Sequence, residues 1–329
     1  MLKVGSLLED QLDYPLVGRE AELEDMRAEL ASETWRILHL WGGGGIGKKA
    51  LLRAFCRRVP RLRSLWLRLA HPEELGCEVW VETAGTGERF ASRLDDLPER
   101  LCALGTNPEW RLLIIDDFHA WAPLFNWMRR MLLPSLPATV RVFTASRSPL
   151  GLEWTREAPW SHALRQFQLQ PLDQRASLQL LESLGLEDGE TRHTVSRAAR
   201  GLPGALVRLG LDARSFGLAH VQSARYQRQF CSALAHELLS ETALTDADLD
   251  LLDAATLLWD FNLDSLSQVL AQPVGTSAFQ SFCSHSFVEA AAMGWRVSEP
   301  VRHWARRAML AEAYRAQLPL GFDRPEPAR

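Results

Sequence analysis

Gly42, Gly43, Gly44, Gly45, Ile46, Gly47, Lys48 and Lys49 form a run that matches G-x-x-x-x-G-K and then departs from it. Glycines let successive backbone N–H groups converge on one anion, and the lysine reaches between phosphate oxygens. The chemistry is that of gripping a nucleotide's phosphates. The eighth place, where a Ser or Thr hydroxyl would ligate Mg2+, is Lys49. Of the 37 Lys and Arg residues only Lys3, Lys48 and Lys49 are lysines, so two of the three stand in this loop. A chain that otherwise uses Arg has kept Lys where compact ammonium groups suit phosphate. Lys49 either folds outward as a solvated charge or puts its ammonium where the metal would be. The loop argues for nucleotide binding and leaves hydrolysis open.

Asp116 and Asp117 follow the apolar run 112–115. At a strand end, Asp116 can hold Mg2+ through water and Asp117 can orient an attacking water. The plain alternative is an acidic pair capping a helix. Arg147 follows the apolar run 140–144 and is either a γ-phosphate sensor or a surface arginine. Arg296, Arg302, His303, Arg306 and Arg307 cluster near the C-terminal end; they read as a DNA-contacting helix or as a solvated helix face. His119 stands alone after Asp117, as a packing or capping residue. Residues 281–285 have no partner constellation, and there is no G-x-S-x-G. The 12 tryptophans show no arrangement as stacking platforms.

The elements that carry these residues alternate. A helix over 20–31 precedes a short apolar strand at 35–40, the glycines, and a helix over 49–58. Strands are expected at 65–69, 112–115, 140–144 and 167–169, with helices over 90–104 and 121–134 between them. Such alternation predicts a parallel sheet with helices on both faces, whose ligands bind at the carboxyl ends of the strands. The glycine loop, Asp116-Asp117 and Arg147 all fall at such ends. From residue 173 only helices are expected: 174–184, 190–199, 205–211, 216–240, one capped by Thr245, then 261–270, 279–292 and 301–314, with a short β element at 295–297. The expected organisation is a leader over 1–15, a P-loop nucleotide-binding domain over 16–172, a helical domain over 173–240, a winged-helix-like domain over 241–314 and a loose tail over 315–329.

Composition sets the limits. An apolar content of 47% and a charged content of 24% are those of a globular protein. A net charge of −4 gives no global attraction to nucleic acid or anionic membrane. Five scattered cysteines without a C-x-x-C pair indicate neither a disulfide framework nor a zinc site. The start lacks an apolar signal segment and no run approaches the roughly 20 apolar residues of a membrane helix, so a cytoplasmic protein is expected.

Taken together these residues resemble the STAND class of P-loop NTPases, the AAA-like signalling ATPases that include NB-ARC and MalT-like proteins, over about residues 16–307. Leu16-Val17-Gly18-Arg19-Glu20 is similar to the VGRE motif, whose backbone cups adenine in that class. Gly42 to Lys48 matches Walker A, and residues 112–117 match Walker B with its double acid. Residues 144–147 resemble the sensor-arginine segment, and Gly201-Leu202-Pro203 matches the GLP motif, whose proline packs near adenine and ribose. The resemblance implies an ATP- or ADP-dependent switch. Val17, Gly18, Arg19, the loop from Gly42 through Lys49 to Ala50, and Pro203 would bind the nucleotide. Asp116 would take any metal, Asp117 the water and Arg147 the γ-phosphate. Lys49 departs from the pattern and implies weak or atypical hydrolysis. Val297-Ser298-Glu299 stands where many members carry Met-His-Asp, whose histidine touches the β-phosphate of ADP. The class's repeat sensor and effector domain are not recognisable in these residues, so a separate sensor or effector protein is an expected partner. Two other functions are open: a winged-helix transcriptional regulator whose DNA binding the nucleotide modulates, and a scaffold that holds nucleotide without turning it over.

Overall fold

The computed structural model describes residues 15–307, except 33, 35–36, 60–62, 70–77, 84–88, 105–109, 240–243, 286, 292 and 300. The expected leader, apart from residue 15, and the expected tail lie outside the described residues, as do positions 308–314 of the last helix. The chain divides into two compact units. One comprises the chain up to Glu187 with Arg192–Val207, and the other Asp188–Thr191 with the chain from Arg208.

The first unit begins with helix α1 (Glu20–Ala31), strand β1 (Ile37–Trp41), the glycine loop and helix α2 (Lys48–Arg58). Strands β2 (Arg63–Leu69), β3 (Glu78–Thr83) and β4 (Arg89–Arg93), helix α3 (Leu97–Leu104) and strand β5 (Trp110–Ile115) follow. Residues 118–135 are a continuous helical run, 3-10 over Phe118–Leu124 and π over Met128–Leu132. Pro123 lies inside the 3-10 stretch, where its missing N–H opposes regular α-helical bonding. Strands β6 (Arg141–Ser146) and β7 (Leu164–Gln168) and helices α4 (Gln174–Ser183) and α5 (Gly189–Ala199) complete the order, and helix α6 (Pro203–Phe216) starts here.

The seven strands form one sheet in the order β4-β3-β2-β5-β6-β1-β7. The pairs from β2 through β5, β6 and β1 to β7 are parallel. Strands β3 and β4 extend the β2 edge in antiparallel fashion. Leu112, Leu113, Ile114 and Ile115 have no exposed surface, the continuous apolar run of a strand covered on both faces. On one face Ile37, Leu65, Leu67, Leu113, Ile115 and Val142 form a core with Leu97 and Leu101 of α3 and with Phe118, Trp121 and Met128. On the other, Phe55 of α2 packs on Phe143 of β6 with ring centroids 5.5 Å apart. The sheet thus has helices on both faces, as the alternation of elements predicted.

Two expectations are corrected. The sheet is mixed rather than all-parallel, because β3 and β4 fall where no strand was expected. The helix expected over 90–104 is a strand up to Arg93 and a helix only from Leu97. Val79 and Val81 are buried while Trp80 between them is 42% exposed, a period of two that belongs to a half-covered strand. The apolar Leu94 and Leu97, at helical spacing with Leu101, continued the helix pattern too far back.

In the second unit, helix α7 (Ala224–Leu239) precedes α8 (Asp246–Leu257), α9 (Leu263–Val269) and α10 (Thr276–Cys283). An antiparallel hairpin, β8 (Val288–Ala291) with β9 (Gly294–Val297), comes next, then helical turns over 301–307. The hairpin replaces the end of the helix expected over 279–292; Gly294, the first residue of β9, has a φ of 134° that favours glycine. Thr245 caps α8 as expected, in a reciprocal box with Asp248.

Candidate phosphate-binding site

Parallel pairing brings the carboxyl ends of β1, β5, β6 and β7 to the same side of the sheet. The glycine loop leaves β1, Asp116 follows β5, Arg147 follows β6, and Leu169-Gln170 follow β7. Gly42, Gly45 and Gly47 have φ of 150°, 68° and 96°, values that favour glycine, so the loop's conformation depends on its composition. Gly47 is the N-cap of α2, whose first turn holds Lys48 and Lys49 and no acid. Two cations at the positive end of a helix are unfavourable to each other and to the dipole, a cost of a few tenths of a kcal/mol to about 1 kcal/mol each that a bound anion reverses.

Most of the loop's carbonyls are taken up by other groups. Lys48 Nζ donates to Gly42 O at 2.7 Å and to Gly43 O at 3.1 Å. The Gly204 N–H donates to Gly45 O at 2.9 Å, and the Leu51 N–H to Gly47 O at 2.9 Å. Arg19 is 4% exposed, and its Nη2 donates to Ile46 O at 3.2 Å and to Gln170 O at 2.7 Å. Its Nη1 is held by Glu22 at 2.8 Å. The VGR segment therefore reaches the loop through the buried Arg19 guanidinium. Its neighbour Gly18 has φ 64° and lies against α4, where an added Cβ would stand 2.4 Å from that of Ala176. Val17 is half-buried, and Ala50, in the first turn of α2, is exposed.

The GLP segment lies on the same loop. A Cβ on Gly47 would be 3.8 Å from Pro203 Cγ, and one on Gly204 would be 3.2 Å from Gly45 Cα. Gly201 (φ 73°) accepts the Leu172 N–H at 2.8 Å, so close that an added Cβ would meet Leu172 O at 2.2 Å. The Arg147 guanidinium covers Gly44, where a Cβ would lie 3.3 Å from Nη1. Gly43 is exposed and has open space above it.

Asp116 is 8% exposed, and burial pushes its carboxyl above the usual carboxylate value; Asp117 adds to the rise. The charge of Lys49, the Asp117 backbone N–H and the charge of Lys48 pull it back down, with Lys49 the stronger of the two lysines. The Asp117 N–H donates to Asp116 Oδ1 at 3.1 Å, and Asp117 sits exposed at φ 51° as the cap of the 3-10 run. The donor set does not suit a divalent cation. The hydroxyl of an Mg2+-binding loop is replaced by an ammonium, which cannot ligate and whose charge opposes a cation near Asp116. Among the described residues no group of three or more His, Cys, Asp or Glu could hold a metal ion.

Sequence reading missed three participants: Gly204, Gln170 and His39. His39 is fully buried in β1 and bonded to Thr144, Ser146 and Ser148 of the segment that carries Arg147. A polar residue inside the apolar run Ile37-Leu38-His39-Leu40-Trp41 was the available signal. The pairing of Gly204 with Gly45 had none, because it depends on a loop and a helix start more than 150 residues apart. No helix among the described residues is long and apolar enough to cross a membrane.

No protein-family model matches the chain, and no curated protein matches it. Solved structures resemble it at low identity. The RuvB Holliday junction branch migration motor of Thermotoga maritima is 12% identical with a TM-score of 0.42, over 92% of this chain and 96% of that one. Cdc6p of Pyrobaculum aerophilum is 13% identical with a TM-score of 0.43, over 92% and 95%. A STAND protein with a tetratricopeptide repeat sensor from Pyrococcus horikoshii is 15% identical with a TM-score of 0.35, over 93% of this chain and 47% of that one. With likenesses this distant, the reading of the site rests on its own geometry: a strand–glycine loop–helix at the carboxyl edge of a mostly parallel sheet, the form of a P-loop domain.

Proposed function

We propose that the chain is a STAND-type switch that binds ATP and ADP, with the Lys49 ammonium in the place of the Mg2+ of related loops. The observation that carries this reading is the convergence of four separated segments on one loop. Arg19 grips Ile46, Pro203 and Gly204 cover Gly47 and Gly45, Arg147 covers Gly44, and Asp116 feels Lys49. In this reading Lys48 leaves the Gly42 and Gly43 carbonyls for the β- and γ-phosphates, and the loop N–H groups hold the rest. Val17 and Gly18 line the adenine side with Pro203. Asp116 pairs with Lys49 rather than with a metal, Asp117 orients water and Arg147 contacts the γ-phosphate. Turnover is slow and insensitive to Mg2+.

The order of α8, α9, α10, the β8–β9 hairpin and the turns over 301–307 supports a winged-helix reading of the second unit. The DNA-binding alternative is weaker. Arg296 is tied to Asp260 at 2.7 Å, the Arg302 guanidinium lies 4.4 Å from the centre of the Trp259 ring and that of Arg307 5.8 Å from the centre of the Trp304 ring, and the His303 ring packs on Trp304, so four of the five basic residues are engaged within the unit. A scaffold that holds nucleotide without turnover remains the simplest outcome of a Lys49 that only binds.

Calorimetry with ATP and ADP, with Mg2+ and with EDTA, tests the reading. Dissociation constants that change less than about threefold between the two conditions are expected, against at least tenfold tightening by Mg2+ in Lys49→Thr. Binding of neither nucleotide would remove the reading altogether.

A further inference from the structure

His39 sits at the third place of β1, opposite Thr144 of β6, with its ring on the sheet face that also carries Thr144 and Ser146. It is fully buried. Nδ1 lies 2.7 Å from Thr144 Oγ1, Nε2 lies 3.1 Å from Ser148 O, and Ser146 Oγ lies 3.0 Å from Nε2. Ser146 Oγ also donates to Ser148 O. A carbonyl can only accept, so Nε2 carries the proton and Nδ1 accepts from the Thr144 hydroxyl. Burial first of all, with the charge of Lys48 in addition, lowers the ring's pKa to about 4, so the imidazole is neutral near pH 7. One arrangement satisfies all the atoms. Thr144 donates to His39, and His39 and Ser146 both donate to the Ser148 carbonyl.

That carbonyl stands one residue beyond Arg147, and the Ser146 hydroxyl one residue before it. The chain leaving β6 is thus fixed on both sides of Arg147, whose guanidinium lies on Gly44. The bonds come from β1, the strand that delivers the glycine loop itself. We propose that His39 is a positioning residue for Arg147: by holding the Ser148 carbonyl it fixes the Ser146–Ser148 turn and lays the Arg147 guanidinium on the phosphate loop. The consequence for nucleotide preference rests on the proposed ATP/ADP switch; the positioning itself does not.

Two readouts separate the two. The first needs no nucleotide: the rate at which phenylglyoxal modifies Arg147, read on its peptide by mass spectrometry. His39→Phe, which has no donor for Ser148, is expected to raise that rate at least fivefold, and His39→Gln, which keeps a donor, to stay within twofold of wild type. An unchanged rate in His39→Phe overturns the proposal. Should that variant not fold, His39→Asn, polar but short of Ser148, is held to the same criterion. The second readout is the ratio of ADP to ATP dissociation constants. Arg147→Ala is expected to lower it at least tenfold, His39→Phe by a similar factor, and the double variant no further, while His39→Gln keeps most of the preference. Independent, multiplying losses in the double variant would overturn the proposal, since a purely structural His39 would act without Arg147. If wild type binds neither nucleotide, the switch reading fails and the modification rate alone decides the role of His39.

Discussion

Arg19→Ala removes one side chain and unbinds two carbonyls from different parts of the first unit. The guanidinium, 4% exposed, bonds Ile46 O and Gln170 O and pairs with Glu22, which is 25% exposed. The buried Ile46 carbonyl left without a donor costs about 1–3 kcal/mol, and the Gln170 carbonyl, on an exposed residue, about 0.5–1.5 kcal/mol. The Glu22 pair adds about 0.5 kcal/mol at most, as a partly solvated ion pair does. The sum is about 1.5–5 kcal/mol, with about 3 kcal/mol as the central value, a large share of the roughly 5–15 kcal/mol of a typical domain. Urea unfolding of the full chain, followed by hydrogen exchange on peptides of the first unit, measures it. If the loss is taken as local opening, peptides over residues 42–50 exchange about 100-fold faster, at about 1.4 kcal/mol per tenfold. Arg19→Lys recovers less than half, because one ammonium cannot reproduce the guanidinium fork between two carbonyls and a carboxylate. A variant within about 0.5 kcal/mol of wild type, the range of an ordinary surface substitution, would show that Arg19 does not hold the loop.

Gly201→Ala places a Cβ 2.2 Å from Leu172 O at a φ of 73°, so a loss of about 2–4 kcal/mol in chemical denaturation is expected, against near neutrality for Gly189→Ala, which meets nothing. Stability of the first unit falls with pH through His39. Its folded pKa of about 4 lies below the ordinary 6.5, so the contribution is complete above 6.5 and lost as pH falls towards 4, by about 3 kcal/mol at most. His39→Gln removes that slope in urea titrations between pH 7 and pH 4.5. In the second unit, burial alone would raise the pKa of Asp248, but hydrogen bonds from the Thr245 backbone and side chain and from His285 outweigh it and hold it below the usual value. Its contribution is therefore present above the ordinary carboxylate pKa and lost as pH falls through the lower folded value. Asp248→Ala should cost about 1–2 kcal/mol at pH 7 and less in acid, read by circular dichroism of the melting helices.

What the sequence made legible was periodic or punctuated. Residues 112–115 are apolar without a break and are the fully buried part of β5. The glycines, the double Asp and Gly201-Leu202-Pro203 are punctuation, and each falls at a strand end or helix start. The β3–β4 extension was not legible, because a short half-buried strand such as Val79-Trp80-Val81 leaves few alternations to count, and its continuation shares leucines with α3. The bonds of the Arg19 side chain were not legible for another reason. A motif gives a residue's neighbourhood, and does not say that its guanidinium will bond the carbonyls of Ile46 and Gln170. His39 was passed over because one polar residue in a strand does not reveal which neighbours will satisfy it.

The loop's hydrogen bonding and its charges lead to one conclusion about metal. Carbonyls of Gly45, Ile46 and Gly47 accept from Gly204, Arg19 and Leu51, and keep those donors when Lys48 leaves Gly42 and Gly43 for a phosphate. Oxygen lone pairs are thereby kept from an anion approaching the amide side, which is what a phosphate requires. Around it stand Lys48, Lys49 and Arg147 against Asp116 and Asp117. That is a net charge of one positive, and burial already disfavours the charged form of Asp116. A +2 ion about 4 Å from an ammonium would be repelled by about 8 kcal/mol at an effective dielectric of about 20, which cancels what one carboxylate at the same distance, such as the buried Asp116, would contribute. A metal-free phosphate therefore fits this site better than a metal-bound one. The same substitution limits chemistry: an ammonium on a flexible stem supplies one positive charge where Mg2+ supplies two at fixed geometry. It can neutralise a bound triphosphate, but it cannot also draw charge off a leaving phosphate as a rigid divalent ion does. Under the proposed nucleotide-binding function this arrangement keeps binding and weakens turnover, and the Lys49→Thr variant, by restoring a hydroxyl beside Asp116, should move both towards metal dependence together.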